Sequence, residues 1–301
     1  MEPVPDVVDR AGVPRHTRRV HDDRTAAEPS PSVSPVTGLL RAAHPLPAAA
    51  VTVLGTALGV AAGLSAARTL VLAAALLAGQ LSIGWANDAV DATRDRLAGR
   101  REKPVVAGHV AARTVHRAAV GALLACVLLS LALGPVAGLL HLLAVASAWG
   151  YDLWLKTTPV SPLPYVVSFG LLPAVAATAA GVDVPVALVA AAALLGAGAH
   201  FANTVPDAAA DARTGVRGLP QRLGVRASRA AGAAGVVAAC AVLVVVPDPD
   251  VGTPAAAVLT VAAVVGAAGG LAPGRASFRL VLAAAGIAVG GVLLAGPRLL
   301  G

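Results

Sequence analysis

The chain has 301 residues, 57% of them hydrophobic and only 13% charged, and its mean hydropathy is +0.77. A water-soluble domain of this length is excluded by so apolar a composition. The net charge of +7 comes with only 3% aromatic residues, and the basic side chains edge apolar stretches instead of interleaving with rings, which excludes nucleic-acid binding.

Residues 1–36 are polar, Pro-containing and of mixed charge, which predicts a disordered cytosolic tail. No apolar run follows Met1 closely, so no cleaved signal peptide is expected. Residues 37–301 are expected to form one membrane domain. Nine apolar stretches follow one another there, at 43–64, 68–87, 111–133, 136–153, 162–181, 184–205, 229–246, 254–271 and 278–296. Most approach the roughly 20 residues that cross a bilayer as a helix. None shows the alternation of a half-buried strand, so the fold class is all-α, a multi-pass membrane protein of nine transmembrane helices. Ala, Val, Leu and Gly dominate, and such small side chains let helices pack closely.

Arg41 and His44 open the first span, where they either meet a substrate or snorkel to the interface. The second span runs into GWANDAVDATRDRLAGRREKPVVAG, residues 84–108. Asn87, Asp91 and Asp95 are four apart and stack on one helix face, with Asp88 beside them. Cys126 in the third span and Cys240 in the seventh read as small buried apolar residues. The fourth span ends in YDLWLK, Tyr151 to Lys156, and Pro164 and Pro173 lie in the fifth, where kinks open space. Trp85, Trp149 and Trp154 sit near span ends and read as interfacial belt residues.

The sixth span leads into HFANTVPDAAADARTGVRGLPQRLG, residues 200–224, with Pro206 at its end, where a kink again opens space. Here the first pattern recurs: Asn203, Asp207, Asp211 and Gly215 repeat Asn87, Asp91, Asp95 and Gly99. The same offset pairs Arg101 with Arg217, Pro104 with Pro220, Gly108 with Gly224 and Arg113 with Arg229. An even number of spans separates the two copies, so both motif helices reach the same membrane face, as parallel repeats do. A pseudo-two-fold axis along the membrane normal would set the acid rows opposite each other. His200, one turn before Asn203, either orients a substrate or packs helices. Asp248 and Asp250, on the opposite face, read as inert loop charges.

With the N-terminus inside, all of the 23 Lys and Arg residues except Arg68 and Arg298 fall in the tail, in cytoplasmic loops or at the adjoining span ends. This predicts a cell-membrane protein with cytoplasmic N-terminus and cytoplasmic acidic motifs.

Carboxylates converging at one membrane face would repel, and divalent cations relieve that. Mg²⁺ prefers hard oxygen ligands and commonly shares them with substrate phosphates. Asp88, Asp91, Asp95, Asp207 and Asp211, with Asn87 and Asn203, are the expected metal ligands. Arg101, Lys103, Lys156 and Arg217 are the cations available to a diphosphate. The loop spacing of an EF-hand, the Cys and His clusters of a zinc site and a Walker loop are all missing.

NDAVDATRD resembles the first aspartate-rich motif of the UbiA superfamily of intramembrane prenyltransferases, and DAAAD, Asp207 to Asp211, resembles the second. GRREKP and YDLWLK resemble the same family, and the likeness extends over about residues 38–296. The resemblance implies nine helices around a central cavity in two pseudo-repeat halves, with the motifs at its cytosolic mouth and a lateral opening to membrane lipids. It implies Mg²⁺-dependent transfer of a polyprenyl group from its diphosphate to a small lipophilic acceptor, aromatic or other. Under that resemblance the aspartates are the catalytic metal holders, while Asn87, Arg101, Lys103, Lys156, Asn203 and Arg217 bind diphosphate. Tyr151 then bonds the diphosphate or steadies an allylic cation, unless it is an interfacial anchor. A UbiA-type terpene cyclase is the alternative within the family. A transporter is the alternative outside it, disfavoured because the acids sit at span ends and not at the midplane.

Overall fold

The computed structural model describes residues 34–246 and 252–296. Most of the tail expected at 1–36, together with Asp248, Asp250 and Arg298, therefore lies outside the described residues. The helices are α1 (Pro35–Ala42), α2 (Pro45–Ala61), α3 (Ala66–Leu97), α4 (Ala112–Ala132), α5 (Pro135–Leu153), α6 (Leu163–Ala180), α7 (Val186–Thr204), α8 (Ala208–Thr214), α9 (Leu219–Leu223), α10 (Val225–Val245), α11 (Thr253–Leu271) and α12 (Gly274–Ala295). No strand occurs among the described residues.

Eight helices, α7 and α8 counted together, are long and apolar enough to cross a membrane; α1 and α2 make a ninth if taken as one span bent by 57°. The expected first span is thus broken near its start. Pro45 begins α2 and disfavours helical backbone in the residue before it. His44 accordingly takes φ 52, the sole left-handed non-glycine among the described residues.

Large apolar side chains point outward: Leu70 is 71% exposed, Leu128 72% and Leu271 88%. That is inverted for water and ordinary for lipid, and the chain is a multi-pass membrane protein. The interior is built from thinner residues such as Ala75, Ala191, Ala239, Ala262 and Ala284, all but wholly buried. Helices neighbouring in sequence pack together, α7 lies against α10, and α12 returns against α2. At the α7–α10 seam a Cβ on Gly198 would come within 2.8 Å of the Gly232 carbonyl oxygen, so glycine permits the contact.

The two motifs end up on different backbones. α3 is unbroken and carries its whole acid row. The second row is interrupted at Pro206, where a kink was expected: a 3-10 turn, Val205–Asp207, separates α7 from α8. Pro206 has no N–H to give to an α-helical ladder, and the chain tightens there instead. Asn203 therefore sits on α7, Asp207 closes the turn and Asp211 lies on α8.

Candidate active site

At the end of α3 three carboxylates are withdrawn from solvent, with side-chain exposures of 1% for Asp88, 14% for Asp91 and 5% for Asp95. Each has a cation within reach. Lys103 Nζ donates to Asp88 Oδ1 at 2.6 Å, and His44 Nε2 lies 3.0 Å from the same oxygen. Lys156 Nζ donates to both oxygens of Asp91 at 2.7 and 2.8 Å, and Arg94 adds a bond at 2.7 Å. Arg100 Nη1 lies 3.3 Å from Asp95 Oδ1, and its Nη2 donates to Asp207 Oδ1 at 2.8 Å. One guanidinium thus joins the first motif to the second. Arg213 Nη2 also reaches the Ala98 carbonyl at 3.3 Å, holding α8 near the end of α3.

The local backbone explains these positions. α3 ends in a Schellman motif: Gly99 has φ 70, its N–H bonds the Arg96 carbonyl at 3.1 Å, and the Arg100 N–H bonds the Asp95 carbonyl at 3.0 Å. That reversal lays Arg100 back beside Asp95. Burial by itself would lower the Arg100 pKa, but the charges of Asp207 and Asp95 outweigh it and hold the guanidinium above its ordinary value. His44 is placed by the α1–α2 corner. A Cβ on Gly84 would run into the Ala43 carbonyl, so only glycine lets α3 approach so near, and Trp85 Nε1 donates to the Leu39 carbonyl at 2.9 Å. Trp85 and Trp149, whose Nε1 donates to Ser82 Oγ at 3.3 Å, are helix ties as well as span-end residues; Trp154 is 68% exposed.

Other expected residues fall beside this cluster. Asn87 Nδ2 donates to Asp152 Oδ1 at 2.8 Å, and Gln221 Nε2 donates to Asp211 Oδ2 at 2.7 Å. Asn203 Nδ2 donates to Tyr165 Oη at 3.2 Å. Tyr151 meets Tyr165 edge-on at 5.3 Å between centroids and His200 at 5.5 Å, and Phe169 stacks on Tyr165. His200 is buried, with Nε2 3.1 Å from Ser161 Oγ. Arg101 and Arg217 are exposed, and their side chains enter none of the described ion pairs. The reading of the sequence missed Arg94, Arg100, Asp152 and Tyr165. The signal for Arg100 was Gly99, a helix-ending glycine that places the following residue.

The donor set suits Mg²⁺: the oxygens are hard, and buried Asp88 Oδ2 has no hydrogen-bond partner. Among the described residues no three Asp, Glu, His or Cys side chains yet surround one point. The carboxylates hold Lys and Arg instead.

The sequence profile of the UbiA prenyltransferase family matches residues 48–279. The chain belongs to that family. Its UbiA fold is shared with solved structures. A UbiA homologue from Archaeoglobus fulgidus bound to GPP and Mg²⁺ aligns at 17% identity and TM-score 0.67, over 87% of this chain and 99% of that one. The apo structure of a UbiA homologue from Aeropyrum pernix K1 aligns at 24% identity and TM-score 0.66, over 81% and 96%. A digeranylgeranylglyceryl phosphate synthase aligns at 18% identity and TM-score 0.59, over 87% and 96%. No curated protein matches this chain.

Proposed function

We propose that this UbiA protein transfers a polyprenyl group from its diphosphate to a small lipophilic acceptor, in a Mg²⁺-dependent reaction at the cytoplasmic face of the cell membrane. The observation that carries this reading is the Arg100 bridge, which brings Asp95 and Asp207 from the two halves into one cluster. Asp88, Asp91, Asp95, Asp207 and Asp211, with Asn87 and Asn203, would hold Mg²⁺, which would supply Lewis-acid neutralisation of the leaving diphosphate.

The chain's own residues do the rest. Lys103 and Lys156, already within 3 Å of motif carboxylates, offset charge on the diphosphate as the allylic C–O bond breaks. Arg101 and Arg217 reach it from the exposed loops. The ring edges and faces of Tyr151, Tyr165 and His200 border this ground and suit a transient carbocation. The apolar helices hold the prenyl tail, and the acceptor's nucleophilic carbon or oxygen takes the cation.

A terpene cyclase is a second reading, and one observation favours it. Aromatics are only 3% of the chain, yet Tyr151, Tyr165 and Phe201 gather around His200, and Phe169 stacks on Tyr165. The deciding experiment gives purified protein geranylgeranyl diphosphate and Mg²⁺ with and without candidate acceptors, with products read by mass spectrometry. A prenylated acceptor is expected. A cyclic hydrocarbon formed without acceptor selects the cyclase, and full turnover in excess EDTA refutes both.

A further inference from the structure

Arg100 is the one described side chain that forms salt bridges with both acidic motifs. All its nitrogens are engaged: Nη1 with Asp95, Nη2 with Asp207, and Nε with Glu102 Oε1 at 3.4 Å. A guanidinium keeps its charge at any ordinary pH, so it cannot leave this position by losing a proton.

The second half repeats the backbone device without the charge. Gly215 has φ 75, and the Val216 N–H bonds the Asp211 carbonyl at 3.0 Å, as the Arg100 N–H bonds that of Asp95. Val216 occupies the position of Arg100 and is buried. Among the described residues there is therefore one bridging cation, and it sits on two oxygens that the proposed divalent cation would use.

A metal at Asp95 and Asp207 would meet a full positive charge a few ångströms away, beside an Asp95 side chain that is 5% exposed and an Asp207 side chain that is 38% exposed. Repulsion there is stronger than in bulk solvent. A diphosphate changes the balance, because it offers the guanidinium new oxygens in the bidentate geometry that arginine favours. We propose that Arg100 is an internal counter-ion which the metal–diphosphate complex displaces from Asp95 and Asp207, so that metal and prenyl diphosphate bind cooperatively and not in turn. This rests on the prenyl-transfer reading. By linkage, whatever diphosphate does for metal affinity, metal does equally for diphosphate affinity.

The test is metal binding without turnover. Mn²⁺ is titrated into purified protein with no diphosphate present and followed by electron paramagnetic resonance. Arg100→Gln should bind Mn²⁺ about 10-fold more tightly than wild type, within the usual span of coupling between two ligands. Arg113→Gln removes the same charge from the exposed start of α4 and should match wild type. Arg100→Lys keeps the charge but reaches one carboxylate instead of two; it should bind Mn²⁺ about threefold more tightly, and it serves if the Gln variant does not fold. With Mg²⁺ saturating, Arg100→Gln should bind geranyl diphosphate about 10-fold more weakly, since the phosphate loses its arginine. Equal Mn²⁺ affinity in all four proteins overturns the proposal, as does an Arg100→Gln protein that binds no Mn²⁺. Wild-type turnover of geranylgeranyl diphosphate with Mg²⁺ then separates this failure from failure of the prenyl-transfer reading.

Discussion

Single residues set the charge balance at the mouth of this protein. Asp91 is held by Lys156 and Arg94, and Asp207 by Arg100, so each carboxylate belongs to a different half of one cluster. On the proposed function, Asp91→Asn and Asp207→Asn should each lower Mg²⁺-dependent diphosphate release by about 10²-fold or more. The double variant should be little worse than either, because residues acting as a unit are not additive. Unchanged gel-filtration profiles would show the losses to be chemical. Independent, multiplying losses would mean two separate sites. The acids were legible in the sequence because they recur at a fixed offset. Their cations were not: Arg100 and Arg101 are adjacent and identical in type. Only the Schellman turn at Gly99 decides that Arg100 folds inward while Arg101 stays exposed.

At the scale of elements, the halves differ in backbone continuity. α3 carries its row on an unbroken helix, whereas the second row spans α7, a 3-10 turn and α8. Pro206→Ala restores a backbone N–H at the break, which should favour a continuous helix there. The direction of Asp207 and Asp211 would then change. The variant should melt no lower than wild type yet turn over about 10-fold more slowly, a split that circular dichroism and diphosphate release measure together. Equal loss of stability and activity would make the break a folding requirement only. Both breaks in the expected spans have a proline in their sequence, Pro45 and Pro206. Pro206 marked its break in the sequence as a kink at a span end, whereas the break before Pro45 lay hidden inside an apolar stretch because hydropathy averages over such a residue.

For the whole molecule, the distribution of Lys and Arg predicts that both motif loops face the cytoplasm. Cysteines placed at Ala98, after α3, and at Asp183, between α6 and α7, should react with an impermeant maleimide from opposite sides of sealed vesicles. Cys126 and Cys240 are buried and should contribute little background. Labelling of both positions from one side would overturn the orientation. Convergence of the halves was readable from the repeat, since an even number of spans returns the chain to the same face. The close packing of α7 on α10 within the second half depends on glycine contacts such as Gly198 against Gly232, which no hydropathy pattern encodes.

The valine that stands where the first half has arginine bears on which way round a substrate can lie. The two phosphates of a prenyl diphosphate differ: one is esterified to the chain and the other is terminal. Jaws of strict two-fold symmetry would grip such a group equally well in either direction, and a reversed substrate would point its reactive carbon away from the acceptor. On the proposed function, a guanidinium after α3 and Val216 at the matching position of the second half would make the two directions unequal in energy. The repeated motif supplies two similar grips, and the mismatch of Arg100 with Val216 is one of the differences that would give the site a front and a back.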